Sequence, residues 1–495
     1  MMTVSLSRFP PTLLAHMQDR SQSAPHDDHF DVVVVGSGIA STFFLQKLQQ
    51  DRPHARVLVL EAGSRHEHAD LVRGRTSLVK ESPRHFHNRS PHKVWHFSRA
   101  FGGGTNCWFG STPRMLPIDF QLQSKFGVGA DWPLSYEDLE PHYVEVERLM
   151  RVSGGAPMPY PMSRPYPLPP HRFSEPDRLL HAADPERFVH LPTARPSRGD
   201  ERAPCCNSGV CSLCPVDAKF TIANTLAAVY AHPGTTLLTD APAVRLTHSS
   251  RTVDGVVYRH EGQERRATAD LVVLGANAIF NPFLLLRSGL PHPQTGLGLC
   301  EQVGATIRVE LRGLKNFQGS TITTGLGFAD MFGEHRRQRG AFLYHTVNRA
   351  TNLRLEPGRE LELLEIIVAI EDLRLAENRV EAGDDELRPV VHYQTHSDYA
   401  QRTLDQLPEI LGRYLAPLPI EKLEVVGLRP TESHIQGTTV MGSDPATSVV
   451  DRACRHHAYR NVVVLGSGNF PTASPANPSL TIAALARFAA AQLSA

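Results

Sequence analysis

The order of apolar and polar positions near the start of the chain spells strand, turn, helix, strand. Phe30 to Val35 is a short run of large and β-branched residues, Gly-Ser-Gly-Ile-Ala-Ser follows from Gly36 to Ser41, an apolar-periodic stretch continues to Leu48, and Val57 to Leu60 is apolar again. This is a βαβ unit of the size that opens a doubly wound domain. Arg65 to Arg99 is rich in Arg, Lys and His, has weak periodicity and reads as a loop, a solvated surface first and a lid second. Ser135, with Asp138 three residues on and apolar residues at Leu139, Tyr143 and Val146, predicts an N-capped helix. Seven prolines between 157 and 170 exclude helix or central strand and mark an irregular surface excursion. Segments Ala305 to Leu311, Ala341 to His345 and Leu361 to Ile370 suggest a separate, mainly antiparallel sheet. Ser397 to Leu415 fits a helix with a break or kink at Pro408. Asn461 to Leu465 reads as a short buried strand and Pro478 to Leu493 as an Ala- and Leu-rich helix, a return to the first domain.

Length changes this picture by requiring more than one core, since 495 residues exceed what a single core supports. The expected architecture is α/β: a discontinuous Rossmann-like domain over 30–115, 205–300 and 440–495, and an antiparallel-sheet substrate domain over 116–204 and 301–439. Residues 1–29 form an N-terminal extension. Lys plus Arg and Asp plus Glu both total 51, so no net field draws in nucleic acid or an anionic membrane. The first residues lack the apolar core of a signal peptide, and no stretch reaches the roughly 18 apolar residues of a membrane span. The chain therefore reads as soluble and cytoplasmic, with export alongside a partner left open.

Candidate chemistry lies in four places. Gly36 and Gly38 stand between a strand and a helix, where the first glycine permits the tight turn and the second lets a pyrophosphate approach the helix N-terminus. Ser41 replaces the third glycine of that motif, and Glu61 closes the second strand at the position that would bind ribose hydroxyls. A second glycine cluster, Phe101 to Gly110, suggests backbone passing close to a flat or charged group, or a plain loop. In the C-terminal block His434 offers a base of ordinary pKa about 6.5. Asn477 is the expected N-cap of a helix whose first position is Pro478. A helix starting there could also aim its positive end at a cofactor on which negative charge develops. Four of the seven cysteines, Cys205, Cys206, Cys211 and Cys214, lie within ten residues, the last followed by Pro215. That spacing favours iron–sulfur ligation, with zinc or a regulatory disulfide as alternatives.

Together these blocks resemble the glucose-methanol-choline (GMC) family of FAD-dependent oxidoreductases. The likeness runs from VVVVGSGIAS and LEAG, through GGGTN with Arg114 and Asp119–Phe120, to WPLSYEDLEPHY, LVVLGANAIFNPFLLLRSG and the region from His434 onward. The resemblance implies non-covalent FAD at Gly36, Gly38, Glu61, the Gly103, Gly104, Thr105 and Asn106 loop, a backbone contact at Val244, and the Gly466, Asn477 and Pro478 junction. It places the catalytic pair on His434 and Asn477, with His434 taking the hydroxyl proton while hydride passes to flavin N5. The cysteine run resembles that of iron–sulfur sugar dehydrogenase catalytic subunits. This implies a 3Fe-4S or 4Fe-4S cluster on Cys205, Cys206 and Cys211, with Cys214 one residue closer than the pattern, and an electron-acceptor protein or small accessory subunit.

Two positions depart from relatives: Cys107 replaces a histidine that attaches flavin covalently in some, and Gly466 replaces an acidic residue found in many. The expected activity is oxidation of a small-molecule alcohol, such as the secondary hydroxyl of a sugar or glycoside. A cluster-free oxidase or tailoring enzyme, a flavin-retaining lyase and a non-catalytic binding protein are the competing readings.

Overall fold

The computed structural model describes residues 29–290, 292–348 and 354–493; the expected N-terminal extension falls outside them apart from His29. Strand β1 (His29–Val35) forms where the sequence alternates and then becomes wholly apolar, and its last four residues are buried on both faces. It pairs in parallel with β2 (Val57–Leu60) on one side. The Ile39–Asp51 helix crosses between them and buries Phe43, Phe44, Leu45 and Leu48. Strand β2 pairs in turn with β5 (Thr235–Leu238). On its other side β1 meets the C-terminal half of the long strand β8 (Gln263–Leu274), again in parallel.

Strand β8 serves two neighbours along one edge. Residues Gln263–Thr268 complete an antiparallel meander with β7 (Thr252–His260) and β6 (Ala243–Ser249), whereas Val272–Leu274 pair in parallel with β16 (Val462–Val464). The last strand thus joins the same sheet as the first, and the Ser479–Ala491 helix packs on the Ile39–Asp51 helix behind it.

A second, six-stranded sheet is antiparallel throughout. Its order is β15 (Ile420–Leu428), β9 (Val303–Leu311), β12 (Leu363–Ile370), β11 (Phe342–Val347), β10 (Thr323–Gly327) and β4 (Phe188–His190). Leu407, Ile410 and Leu411 of the Asp398–Tyr414 helix pack against Ile307, Val309, Ile366 and Val368 in its core. That helix runs through Pro408 as one element of 17 residues, so the expected break is absent. A small sheet of β13 (Arg379–Glu381), β14 (Val390–His392) and β3 (His87–Asn88) completes the described strands.

The segment read as a solvated loop is exposed over much of its length, but its aromatic residues and its last part turn inward. Trp95 is fully buried, Phe86 and Phe97 are buried, and His96 to Arg99 border the main cavity. Dense cationic residues between the aromatics hide this inward face from any periodicity. The Ser135 cap forms as expected, with Ser135 Oγ accepting from the Asp138 amide and Asp138 Oδ2 accepting from the Ser135 amide.

Buried ion pairs brace the segments that connect the sheets. Arg114 donates to both oxygens of Glu147 at 2.7 and 2.8 Å, and Arg336 bridges Asp119 and Glu371 at 2.9 and 2.7 Å. Removing one partner of such a pair costs about 3–5 kcal/mol, because the other charge is left buried.

His456 supplies a pH-linked contribution to stability. Its Nδ1 accepts from the amides of Ala458 and Tyr459, which requires a neutral ring, and burial, with His292 and His457 nearby, pushes its pKa down to about 4. In the unfolded chain the group returns to about 6.5. Between those values the unfolded state binds more protons, so this residue's contribution falls as pH drops from about 6.5 toward 4. His456→Asn, whose Oδ1 can accept the same amides, is expected to flatten the decline of Tm with acidification relative to the parent. Identical slopes in melts from pH 7 to 4.5 would remove His456 from the acid response.

Candidate active site

The carboxyl ends of β1, β8 and β16 open onto one cavity of about 790 Å3, roofed by the antiparallel sheet. Gly36 makes the turn out of β1 with φ +93°, and a Cβ there would stand 2.7 Å from the Gly275 carbonyl oxygen. Gly38 caps the following helix without any side-chain bond, and a Cβ on it would meet nothing within 4 Å. Gly36 to Ala40 line the cavity, so the first turn of the helix borders open space, as a phosphate site requires. Ser41 fits in place of the motif's third glycine because Gly275, which it packs against, has no side chain to collide with it.

Glu61 is buried and oriented by three donors: the Ser37 amide and hydroxyl on Oε2, at 2.9 and 2.6 Å, and the Gly63 amide on Oε1 at 2.9 Å. The Gly103–Asn106 turn lies against the Gly38 backbone, and Gly104, like Gly38, has open space at its Cβ position. Thr105 and Asn106 brace that turn internally, Thr105 to the Gly102 carbonyl and Asn106 to the Phe101 carbonyl. Gly466 borders the same cavity with φ +109° and ψ −177°, a conformation closed to an acidic residue, which explains the departure at that position. Val244 is buried within β6, and its neighbours Pro242 and Ala243 form the cavity wall there.

His434 and Asn477 meet, with Asn477 Nδ2 3.3 Å from His434 Nε2. Asn477 does not cap the helix that follows. The Ser479–Ala491 helix has no side-chain cap, Pro478 flanks it in the helical region, and Asn477 Oδ1 is buried without a described partner. The amide has turned to the histidine instead, which corrects the expected cap and frees Asn477 for the cavity.

Gln302, 132 residues upstream, sets the tautomer. Its Nε2 donates to the carbonyls of Ser474 and Ala476 at 2.6 and 3.1 Å, so its Oε1 faces His434 Nδ1 at 3.0 Å. Nδ1 must then carry the proton and Nε2 the lone pair. Burial, reinforced by His345 and Arg429, pushes the His434 pKa from the expected 6.5 down to about 3, so the ring is neutral at ordinary pH, with Nε2 as its acceptor atom. Glu301 fixes the backbone beneath it, accepting from Thr431 Oγ1 and from the Glu432 and His434 amides while paired with Lys93. Sequence reasoning missed Gln302 and Glu301, since no spacing links them to the C-terminal block.

The GMC oxidoreductase N-terminal domain matches residues 30–307 and the C-terminal domain 379–486. The chain belongs to the GMC oxidoreductase family. It is accordingly an FAD-dependent oxidoreductase acting on CH–OH donors, and the open glycines and the oriented Glu61 described above suit that cofactor. Among curated GMC proteins, the 6'''-hydroxyparomomycin C oxidase of Streptomyces lividus is 29% identical over 97% of this chain and 94% of its own. The fructose dehydrogenase large subunit of Gluconobacter japonicus is 26% identical over 93% and 97%. The solved pyridoxine 4-oxidase from Mesorbium loti superposes with a TM-score of 0.65 at 18% identity, covering 94% of this chain and 99% of that one.

The cysteine run departs from expectation. Cys205, Cys206, Cys211 and Cys214 are free thiols around one enclosure of only about 10 Å3, room for a single water-sized sphere. Among the described residues no three His, Cys, Asp or Glu side chains converge to hold a metal ion. As placed, the run does not fit the iron–sulfur cluster or the zinc ion expected of it. It does touch the cofactor cavity's wall: buried Lys219 donates to the Cys211 carbonyl at 2.9 Å and to the Asn106 carbonyl at 3.0 Å. Cys107 borders the cavity, and burial pushes its thiol pKa up.

Proposed function

We propose that this GMC oxidoreductase oxidises a hydroxyl on a sugar or glycoside, with His434 as the base and Asn477 as the group that holds the reacting oxygen. The observation that carries the reading is the lone pair on His434 Nε2, fixed there by Gln302 and placed beside Asn477. Bound in the cavity, FAD supplies the two-electron acceptor for a hydride. His434 Nε2 takes the hydroxyl proton as the carbon–hydrogen bond breaks, and the product is the carbonyl. Asn477 Nδ2 donates to the same oxygen once a substrate displaces it from the imidazole. Glu61 and the open amides at Gly38 would hold the ribose and pyrophosphate, and Val244 a backbone contact near the adenine. The substrate class is supported by relatives named for an aminoglycoside and for fructose.

A panel of D-glucose, D-fructose, methyl β-D-glucopyranoside and paromomycin, mixed anaerobically with the flavoprotein, tests this. At least one member is expected to bleach the flavin band. Failure of all four would argue for a different substrate class or for the lyase reading.

A second reading concerns the electrons' exit. That all four thiols of the run border a single enclosure is the one observation on the side of an iron–sulfur cluster; as placed they do not fit it, and no electron-transfer step is assigned to them. Iron analysis of anaerobically purified protein decides: iron bound in proportion to chain supports ligation, and iron-free yellow protein leaves a cluster-free oxidase or tailoring enzyme.

A further inference from the structure

The roof of the cavity holds polar groups that neither the cofactor cradle nor the His434–Asn477 pair uses. His345 projects from β11 on the face shared with Thr306 of β9 and Ile367 of β12, since His345 pairs with Ile367 and Ile367 with Thr306. All three border the cavity, as does Arg429 at the end of β15. His345 is 6% exposed, yet no described residue hydrogen-bonds its ring. Arg429 spends only Nε, on Glu432 at 2.6 Å, and leaves both Nη groups without a described partner. Thr306 Oγ1 is likewise unbonded to the described protein. Arg429 and Thr306 are half-buried and His345 is buried, so the three turn unused polar capacity toward the cavity, the deepest of it on His345.

The three sit on rigid sheet positions. His345, Thr306 and Arg429 line the same cavity as His434 and Asn477. We propose that His345, with Thr306 and Arg429 beside it, forms a second oxygen-binding subsite that receives a hydroxyl next to the carbon being oxidised, so that the substrate is a polyol and not a simple alcohol. A neutral imidazole can donate to that oxygen or accept from it, and Arg429 donates without titrating. A site built around such a bond discriminates strongly against the analogue that lacks the hydroxyl, because its buried groups are then stranded.

This inference rests on the sugar-oxidation reading, and the experiment separates the two. The probe is whichever sugar of the panel above bleaches the wild-type flavin fastest, set against its monodeoxy analogues at the two positions flanking the oxidised carbon. Wild type is expected to lose about tenfold or more in kcat/KM on one deoxy analogue. His345→Ala is expected to raise KM for the parent sugar by about tenfold, with kcat within about twofold, and to treat parent and that analogue alike. His345→Gln, which keeps a donor and an acceptor, is expected to restore part of the preference. FAD content and Tm identify a variant that has merely failed to fold, and the glutamine variant then carries the test. If no sugar reduces wild type, the sugar reading falls. If a sugar reduces it but His345→Ala leaves KM unchanged, or lowers kcat/KM equally for parent and deoxy sugar, the subsite is wrong.

Discussion

His434→Ala is expected to retain FAD and to reduce it with substrate about 10²- to 10⁴-fold more slowly, the range that general-base catalysis supplies. Retention is expected because the backbone at 434 is held by Glu301 and not by the ring, and because the cradle at Gly36, Gly38 and Glu61 lies on other elements. The loss follows from where the lone pair is. Gln302 dictates that Nε2 accepts, and the other polar group at that point, Asn477 Nδ2, is a donor that cannot take a proton. Single-turnover bleaching of the flavin under anaerobic conditions measures the step directly. Undiminished bleaching with normal FAD content would overturn the assignment of the base. A lyase would show another pattern, since product could form with no net reduction of the flavin.

Gly36→Ala is expected to fold and to emerge from purification with FAD content reduced at least about tenfold. The glycine carries φ +93°, where an L side chain pays on the order of 1–2 kcal/mol, and its Cβ would press on the Gly275 carbonyl at 2.7 Å. Either strain is relieved by shifting the turn. That turn also holds Ser37, whose amide and hydroxyl orient Glu61, and it aims the open amides of the Ile39–Asp51 helix, so both ends of the nucleotide cradle move together. The ratio of flavin to protein absorbance after gel filtration reads the outcome, and full occupancy would mean the turn tolerates a side chain.

Strands β1, β2 and β16 of the first sheet could be read from the chain, because the end of β1 and the whole of β2 and β16 are buried and apolar in unbroken runs, whereas β5, β6, β7 and β8 were not read from their patterns. The central strands β9, β11 and β12 were legible for a related reason, being rich in β-branched and large apolar residues. The other strands of that sheet were not. Strand β10 reads Thr-Thr-Gly-Leu-Gly, and its glycines are there because Phe188 and Tyr344 lie where a Cβ would go. Strand β15 is an edge with mixed charge and wide exposure, which leaves no alternation to detect. At the candidate site, the sequence pointed to residues within motifs and not to those that reach the cavity from afar. Gln302 and His345 act through contacts to partners 132 and more residues away or through the cavity itself, and periodicity carries no trace of either. The Asn477 cap was a sound local expectation that lost to a tertiary contact with His434.

Lys219 has a mechanical consequence. Its ammonium is nearly enclosed, burial brings its pKa down to about 8, and its described hydrogen bonds go to two carbonyls on two different loops, one beside the thiols and one beside the glycine turn. Parting either loop from the ammonium leaves a buried cation short of an acceptor, a cost of about 1–3 kcal/mol. The cysteine run and the Gly103–Asn106 turn therefore hang from one nitrogen, like two ropes made fast to a single cleat.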